Sequence, residues 1–273
     1  MRKTKELKQY ETYLYRRELA EGTREIYTRQ VSELLKFLNG GKITKEAMIA
    51  YKESLEKKQF AVSTQNLYIT AVNSYLKFVG YEHFMLHTKR VQKHRSLVNI
   101  MEAEEYGRLL AYARKSGREK YYYIMKTLAL TGIRISELKY FTVDTLKQEM
   151  FVVQNKGKHR EIYLPQKLLA ELEDYCKQAQ VEEGVIFLGS TGKPIGRISV
   201  YKTLVRMAEQ AGIPGKKAHP HSFRHLFAVT FMRQYGDIAE LSDILGHSSL
   251  ETTRIYTTTT IREKRRKLNE LEL

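Results

Sequence analysis

Apolar positions recur at helical spacing through the first eighty residues. Between 23 and 38, Ile26, Val31, Leu34, Leu35 and Phe37 fall close to that spacing. From Ser63 or Thr64 onward, Leu67, Ile69, Val72, Tyr75, Leu76 and Phe78 continue it as far as Gly80. Thr44 has the chemistry of an N-cap for a helix over 45–58, and Gly80 that of a helix end. Residues 4–18 fit one more helix. The pattern predicts a small helical bundle.

Residues 86–98 interrupt it. They hold four Lys/Arg and two His with no acid, and read as a basic linker with a boundary near residue 95. Helical patterns return over 102–116 and 118–131. Residues 149–154 and 159–164 read as strands around the turn Asn155-Lys156-Gly157-Lys158. Pro165 suits the first turn of a helix reaching about residue 180, and 185–188 reads as a third short strand. Helices follow over 197–211, 221–235, 237–245 and 249–257, then a charged amphipathic tail over 261–273. The fold class is therefore mainly α with a small antiparallel β-sheet in the second domain. The organisation is 1–85 helical, 86–98 linker, 99–260 second domain and 261–273 tail helix.

The chain has 273 residues, enough for one or two domains that each bury a core. Net charge is +16, which favours a polyanionic partner, nucleic acid first. Residues 1–100 carry 19 Lys+Arg against 10 Asp+Glu, so the excess is shared between the halves. The single cysteine, Cys176, excludes an internal disulfide and suits the buried face of a helix. No apolar run approaches a membrane span, so no membrane partner and a cytoplasmic location are expected.

Six residues form one chemical set: Arg134, Lys156, His221, Arg224, His247 and Tyr256. Arg134 follows a Thr-Gly break and is expected to open a helix whose free N–H groups suit an anion. Its planar fork can hold two phosphate oxygens. Glu137, three residues on, is close enough to orient it; alone, the pair reads equally as a surface ion pair. His221 and Arg224 share a helix face behind His219-Pro220. The histidines 219, 221 and 225 could suggest a metal, but Arg224 would sit against the cation and no carboxylate or cysteine completes a ligand set. Lys156 lies at a hairpin tip, where an amine can act as a general acid or simply be solvated. Tyr256 follows His247 by nine residues. A phenol with a pKa near ~10 needs nearby cations to become a nucleophile.

Taken in order, Thr131-Gly-Ile-Arg-Ile-Ser-Glu-Leu138, Lys156-Gly-Lys158, His221-Ser-Phe-Arg-His225 and Leu245-Gly-His247 with Tyr256 resemble the tyrosine recombinase (phage-integrase-like) family. The match is strong over about 100–260. Residues 1–85 are similar to the family's helical core-binding domain. The resemblance implies a short, Xer-like architecture without the arm-binding domain of larger integrases, and a two-domain clamp on duplex DNA with specific recombination sites. It implies Tyr256 as nucleophile forming a 3′-phosphotyrosyl bond, and Arg134 and Arg224 on the non-bridging oxygens. Lys156 would protonate the leaving 5′-oxygen, His221 would assist proton transfer and His247 would hydrogen-bond the phosphate. Glu137 would be a supporting acid. No metal or other cofactor is implied. A homotetramer is implied at synapsis, or a heterotetramer with a related recombinase. Lys89, Arg90, Lys93 and Arg95 of the linker, with Lys158 and Arg160 of the hairpin, are the further candidates for DNA contact. The competing functions are a type IB topoisomerase and a catalytically silent DNA-binding regulator.

Overall fold

The computed structural model describes residues 5–90, 101–155, 158–247, 249–257 and 269–270. The chain forms two compact units, Met1–His94 and Arg95–Leu273.

The first unit is a bundle of α1 (Lys5–Arg16), α2 (Glu21–Leu38), α3 (Lys45–Lys57) and α4 (Val62–Phe78). Three of the four bury a stripe at steps of three and seven residues. Leu7, Tyr10 and Leu14 do so on α1, Met48, Tyr51 and Leu55 on α3, and Ile69, Val72 and Leu76 on α4. Thr44 caps α3 as expected, its hydroxyl accepting from the Ala47 N–H at 3.2 Å. Tyr10 donates to the Ala71 carbonyl at 3.3 Å, and Tyr75 donates to Glu6, so α1 is pinned to α4 by phenols as well as by packing. Phe37 and Leu67, both counted in the apolar pattern, are instead exposed.

The first residues of the basic segment are strapped to α4. Asn73 pairs both ways with the backbone of Leu86, at 2.9 and 2.8 Å, and Asn66 does the same with Lys89. The Lys89 ammonium lies 2.8 Å from Glu56. Lys93 and Arg95 lie outside the described residues.

In the second unit, α6 (Glu119–Thr131) is the central helix. It is buried on nearly every side, through Ile124, Met125 and Leu128 among others, between α5 (Ala103–Lys115), α7 (Gln166–Gln178) and α9 (Pro220–Gln234). Strands β1 (Met150–Asn155) and β2 (Lys158–Tyr163) pair antiparallel, with Met150 opposite Tyr163 and Asn155 opposite Lys158. Their alternation puts Phe151, Val153 and Ile162 into the core and leaves Val152 and Tyr163 outside. Two residues, 156 and 157, connect the strands; they lie outside the described residues, and with them Lys156. Cys176 is buried on α7, as expected. Helices α8 (Arg197–Gln210), α10 (Ile238–Leu245) and the short α11 (Leu250–Thr253) complete the described unit, and a 3-10 turn at Arg254–Thr257 follows α11.

Two expectations need correction. Residues 185–188 do not form a strand: Val185 and Leu188 each make a single isolated bridge, to Thr142 and Pro194. The apolar run is explained by burial of Ile186 and Phe187, which does not require a ladder. The segment opened by Arg134 is a six-residue 3-10 turn, Ile135–Tyr140. Its first free N–H, that of Arg134, donates to Glu137 at 2.8 Å rather than being left for an anion. The helix expected over 261–273 lies almost wholly outside the described residues.

Candidate active site

The C-terminal ends of α6 and α10 meet at this site. The last carbonyls of a helix have no partner inside it, and they carry its negative dipole end. Here guanidiniums take them up. Arg224, on α9, donates to the Gly132 carbonyl at 2.6 Å and to the Leu245 carbonyl at 2.7 Å. Arg134 donates to the Gly246 carbonyl at 3.2 Å, and Arg160 to the Ile244 carbonyl at 3.0 Å. Backbone dipoles thus orient three cations while adding no carboxylate charge.

Both helix ends are closed by left-handed glycines, and both glycines are needed. Gly132 has φ +60°, and a Cβ there would lie 2.5 Å from Phe227 Cδ1. Gly246 has φ +60°, and a Cβ there would lie 2.5 Å from Arg160 Cδ. Gly246→Ala therefore adds backbone strain and pushes Arg160 aside. It is expected to cost about 1–3 kcal/mol in urea unfolding and to lower cleavage by moving the carbonyl that holds Arg134. An unchanged unfolding midpoint would mean that Arg160 yields freely.

Glu137 is the one acid among these cations. It is fully buried and ion-paired to Arg134 at 3.1 Å and to Arg160 at 2.6 Å. The Arg160 side chain is only 5% exposed, so it is not the surface DNA contact its place beside Lys158 suggested. Its Nη2 is buried with no hydrogen-bond partner. Arg134, by contrast, keeps 36% of its side chain open. The side chain of Lys158 lies outside the described residues.

The helix start at His219-Pro220 forms as the sequence predicts: His219 caps α9 by accepting from the Ser222 N–H at 3.2 Å. His221 and Arg224 sit three residues apart on α9, and Arg224 is buried. Burial pulls the Arg224 pKa down to about 9, with Arg160 and Arg134 adding to the shift, so it stays cationic at neutral pH. His221 is exposed at the start of α9; partial desolvation and then the Arg224 and Arg134 guanidiniums lower its pKa. His247 is lowered to about 4 by burial and then by Arg224, Arg134 and Arg160, and is therefore neutral. Its tautomer follows from its partners. Arg224 Nη2, 2.9 Å away, can only donate, so His247 Nε2 is bare and Nδ1 carries the proton towards Thr253 Oγ1 at 2.8 Å. Thr253 is buried on α11, so this bond ties His247 to the turn that carries Tyr256.

Tyr256 is buried against Ala228, Leu241 and Leu245. Burial raises its pKa, and Arg224 opposes the rise. Its hydroxyl lies 2.7 Å from Nδ1 of His225, a residue that sequence reasoning weighed only as a metal ligand. The signal was available: His225 is one turn from His221 and so shares its helix face. The structure thus gathers Arg134, Glu137 and Arg160, and Arg224 with His247, around the C-terminal end of α10, with Tyr256 in the same part of the unit. Beside it, between the strand pair and α9–α10, a cleft of about 1430 Å³ is lined by Leu130, Val152 and Phe231 and by the acids Glu149, Glu240 and Asp243. Among the described residues, no three His, Cys, Asp or Glu side chains gather as a metal site would require.

A helical first unit, and a second unit that converges arginines, histidines and one buried tyrosine, define a class that the comparisons identify. Residues 99–263 match the phage integrase family and residues 7–83 its N-terminal SAM-like domain. The chain belongs to the phage integrase family. It is a tyrosine recombinase, catalysing DNA cleavage and rejoining in site-specific recombination. It is 28% identical to the tyrosine recombinase XerA of Pyrococcus furiosus, over 93% of this chain and 89% of that one. The crystal structure of XerA recombinase superposes with a TM-score of 0.55 at 25% identity, covering 98% of this chain and 99% of that one. A lambda integrase tetramer bound to a Holliday junction superposes with a TM-score of 0.72 at 18% identity, covering 94% and 78%.

Proposed function

We propose that Tyr256 attacks the scissile phosphodiester of a duplex recombination site and forms a 3′-phosphotyrosyl bond. Arg134 and Arg224 hold the non-bridging oxygens and offset the charge that develops on them. Lys156 gives a proton to the leaving 5′-oxygen and His221 assists proton transfer; His247 hydrogen-bonds the phosphate once Arg224 turns from its Nε2 to the incoming oxygens and that nitrogen takes up the imidazole proton. Glu137 and Arg160 fix Arg134. The observation that carries the reading is the Arg224–His247–Thr253 chain of hydrogen bonds. It joins the cation pocket to the turn bearing Tyr256 within one polypeptide.

The guanidiniums supply the charge stabilisation that a metal supplies in other phosphoryl-transfer sites. The test is a nicked suicide duplex incubated with the protein in EDTA, with the trapped adduct mapped by peptide sequencing. Covalent DNA on Tyr256 is expected. Attachment to another residue, or an absolute need for Mg²⁺ in the chemical step, would contradict the assignment.

Recombination needs two sites brought together, and a homotetramer at synapsis, or a heterotetramer with a related recombinase, is the assembly proposed for this chain, acting in the cytoplasm on DNA. The tail supports it. The spacing of Ile261, Leu268 and Leu271, seven and three residues apart, predicts one apolar helical face, with Arg262, Lys264 and Glu270 on the opposite one. The cleft next to the site offers the apolar walls Leu130, Val152 and Phe231 for such a face to pack against. Removing 261–273 is expected to spare single-site binding and to abolish the paired-site complex in size-exclusion chromatography. Synapsis by the truncated protein would rule the tail out.

A further inference from the structure

The group in contact with the attacking oxygen is His225. Its Nδ1 lies 2.7 Å from the Tyr256 hydroxyl, and the two ring centroids are 5.5 Å apart. His247 is otherwise occupied: Nε2 faces Arg224 and Nδ1 faces Thr253. Arg224 can only donate, so it cannot take a proton from a phenol. His225 follows Arg224 on α9, and one ring nitrogen of a neutral imidazole is a bare acceptor.

We propose that His225 Nδ1 accepts the Tyr256 proton as the phenolic oxygen attacks phosphorus, making His225 the general base of cleavage and the general acid of rejoining. In cleavage the Oη–P bond forms and the P–O5′ bond breaks. The phenolic proton passes to His225, and the 5′-oxygen takes a separate proton from Lys156. In rejoining the 5′-hydroxyl attacks phosphorus and gives its proton back to Lys156, the Oη–P bond breaks, and protonated His225 returns its proton to Oη. This rests on the reading of Tyr256 as nucleophile.

The surroundings explain why the proton does not move before DNA arrives. The charged or titratable groups around His225 are His219, His221 and Arg224 on α9 and Tyr256 across from it. Burial, then His221, His219 and Arg224, push the imidazole down to about 4, while burial pushes the phenol up. Off DNA the pair therefore stays neutral, with the proton on Tyr256. A phosphodiester held by Arg134 and Arg224 adds a negative charge that offsets those cations. The imidazole pKa then rises towards the range in which a base is effective at neutral pH. The base is armed by the substrate.

The experiment compares wild type, His225→Gln and His225→Ala on a suicide duplex and on the same duplex with sulfur in place of the bridging 5′-oxygen. A sulfur leaving group needs no proton, so it bypasses Lys156 but not the base. Both variants are expected to bind DNA as wild type does. Their cleavage should fall by about 100-fold or more, by the same factor on both duplexes, and the defect should shrink as pH rises and hydroxide replaces the base. Wild-type rates in His225→Gln, a defect erased by the sulfur substrate, a defect constant with pH, or loss of binding in both variants would each overturn the proposal. Wild-type adduct on a residue other than Tyr256 would instead sink the nucleophile assignment beneath it.

Discussion

Tyr256→Phe is expected to bind a recombination site with wild-type affinity and to form no covalent adduct. The substitution removes one oxygen and keeps the ring, whose packing on Ala228, Leu241 and Leu245 holds the last described turn in place. The cations proposed to grip the phosphate are held by helix carbonyls and Glu137, none of which touches the phenolic oxygen through a bond described above. What is lost structurally is the hydrogen bond to His225, worth about 1 kcal/mol, a small part of a domain's stability. What is lost chemically is the proposed nucleophile itself, so the effect on cleavage is expected to be complete rather than graded. The readouts are a filter-binding isotherm and a denaturing gel on the suicide duplex. A gel-stable adduct from the variant would move the nucleophile to another side chain.

Much of this was legible in the chain because it depends on local spacing. The stripes of α2 and α4, the Thr44 cap and the His219-Pro220 start each need information from within about a turn or two of helix. The alternation of β1 and β2 was equally local. Misreadings came where a residue's partner is distant. Arg160 looked like a surface base because its neighbours are basic; its partners, Glu137 and the Ile244 carbonyl, are 23 and 84 positions away. Glu137 was read as the local partner of Arg134, which it is, but its second arginine was invisible to spacing. Residues 185–188 were read as a strand because an apolar run reports burial and not pairing. His225, weighed in the sequence only as a metal ligand, was missed for the same reason. Its partner Tyr256, 31 positions on, was already assigned a role, and nothing in the order of motifs joined the two.

Glu137→Gln is expected to be among the most destabilising single changes in the second unit. The carboxylate is 0% exposed and carries two guanidiniums, one of them on a side chain only 5% exposed. Breaking a buried pair by removing one partner leaves an uncompensated charge, at a cost of about 3–5 kcal/mol. That is a large share of a domain's net stability. Arg134 also loses its anchor on one side and keeps only the Gly246 carbonyl at 3.2 Å, so cleavage should fall even in the fraction that stays folded. A double variant separates the two effects. Replacing the buried pair by apolar groups, as Glu137→Leu with Arg160→Met, removes both charges and should recover most of the unfolding free energy. It does not restore the anchor of Arg134, so its cleavage rate should remain low while its urea midpoint returns. Recovery of stability and cleavage together would show that Glu137 serves folding alone, and that Arg134 finds its place on the phosphate without it.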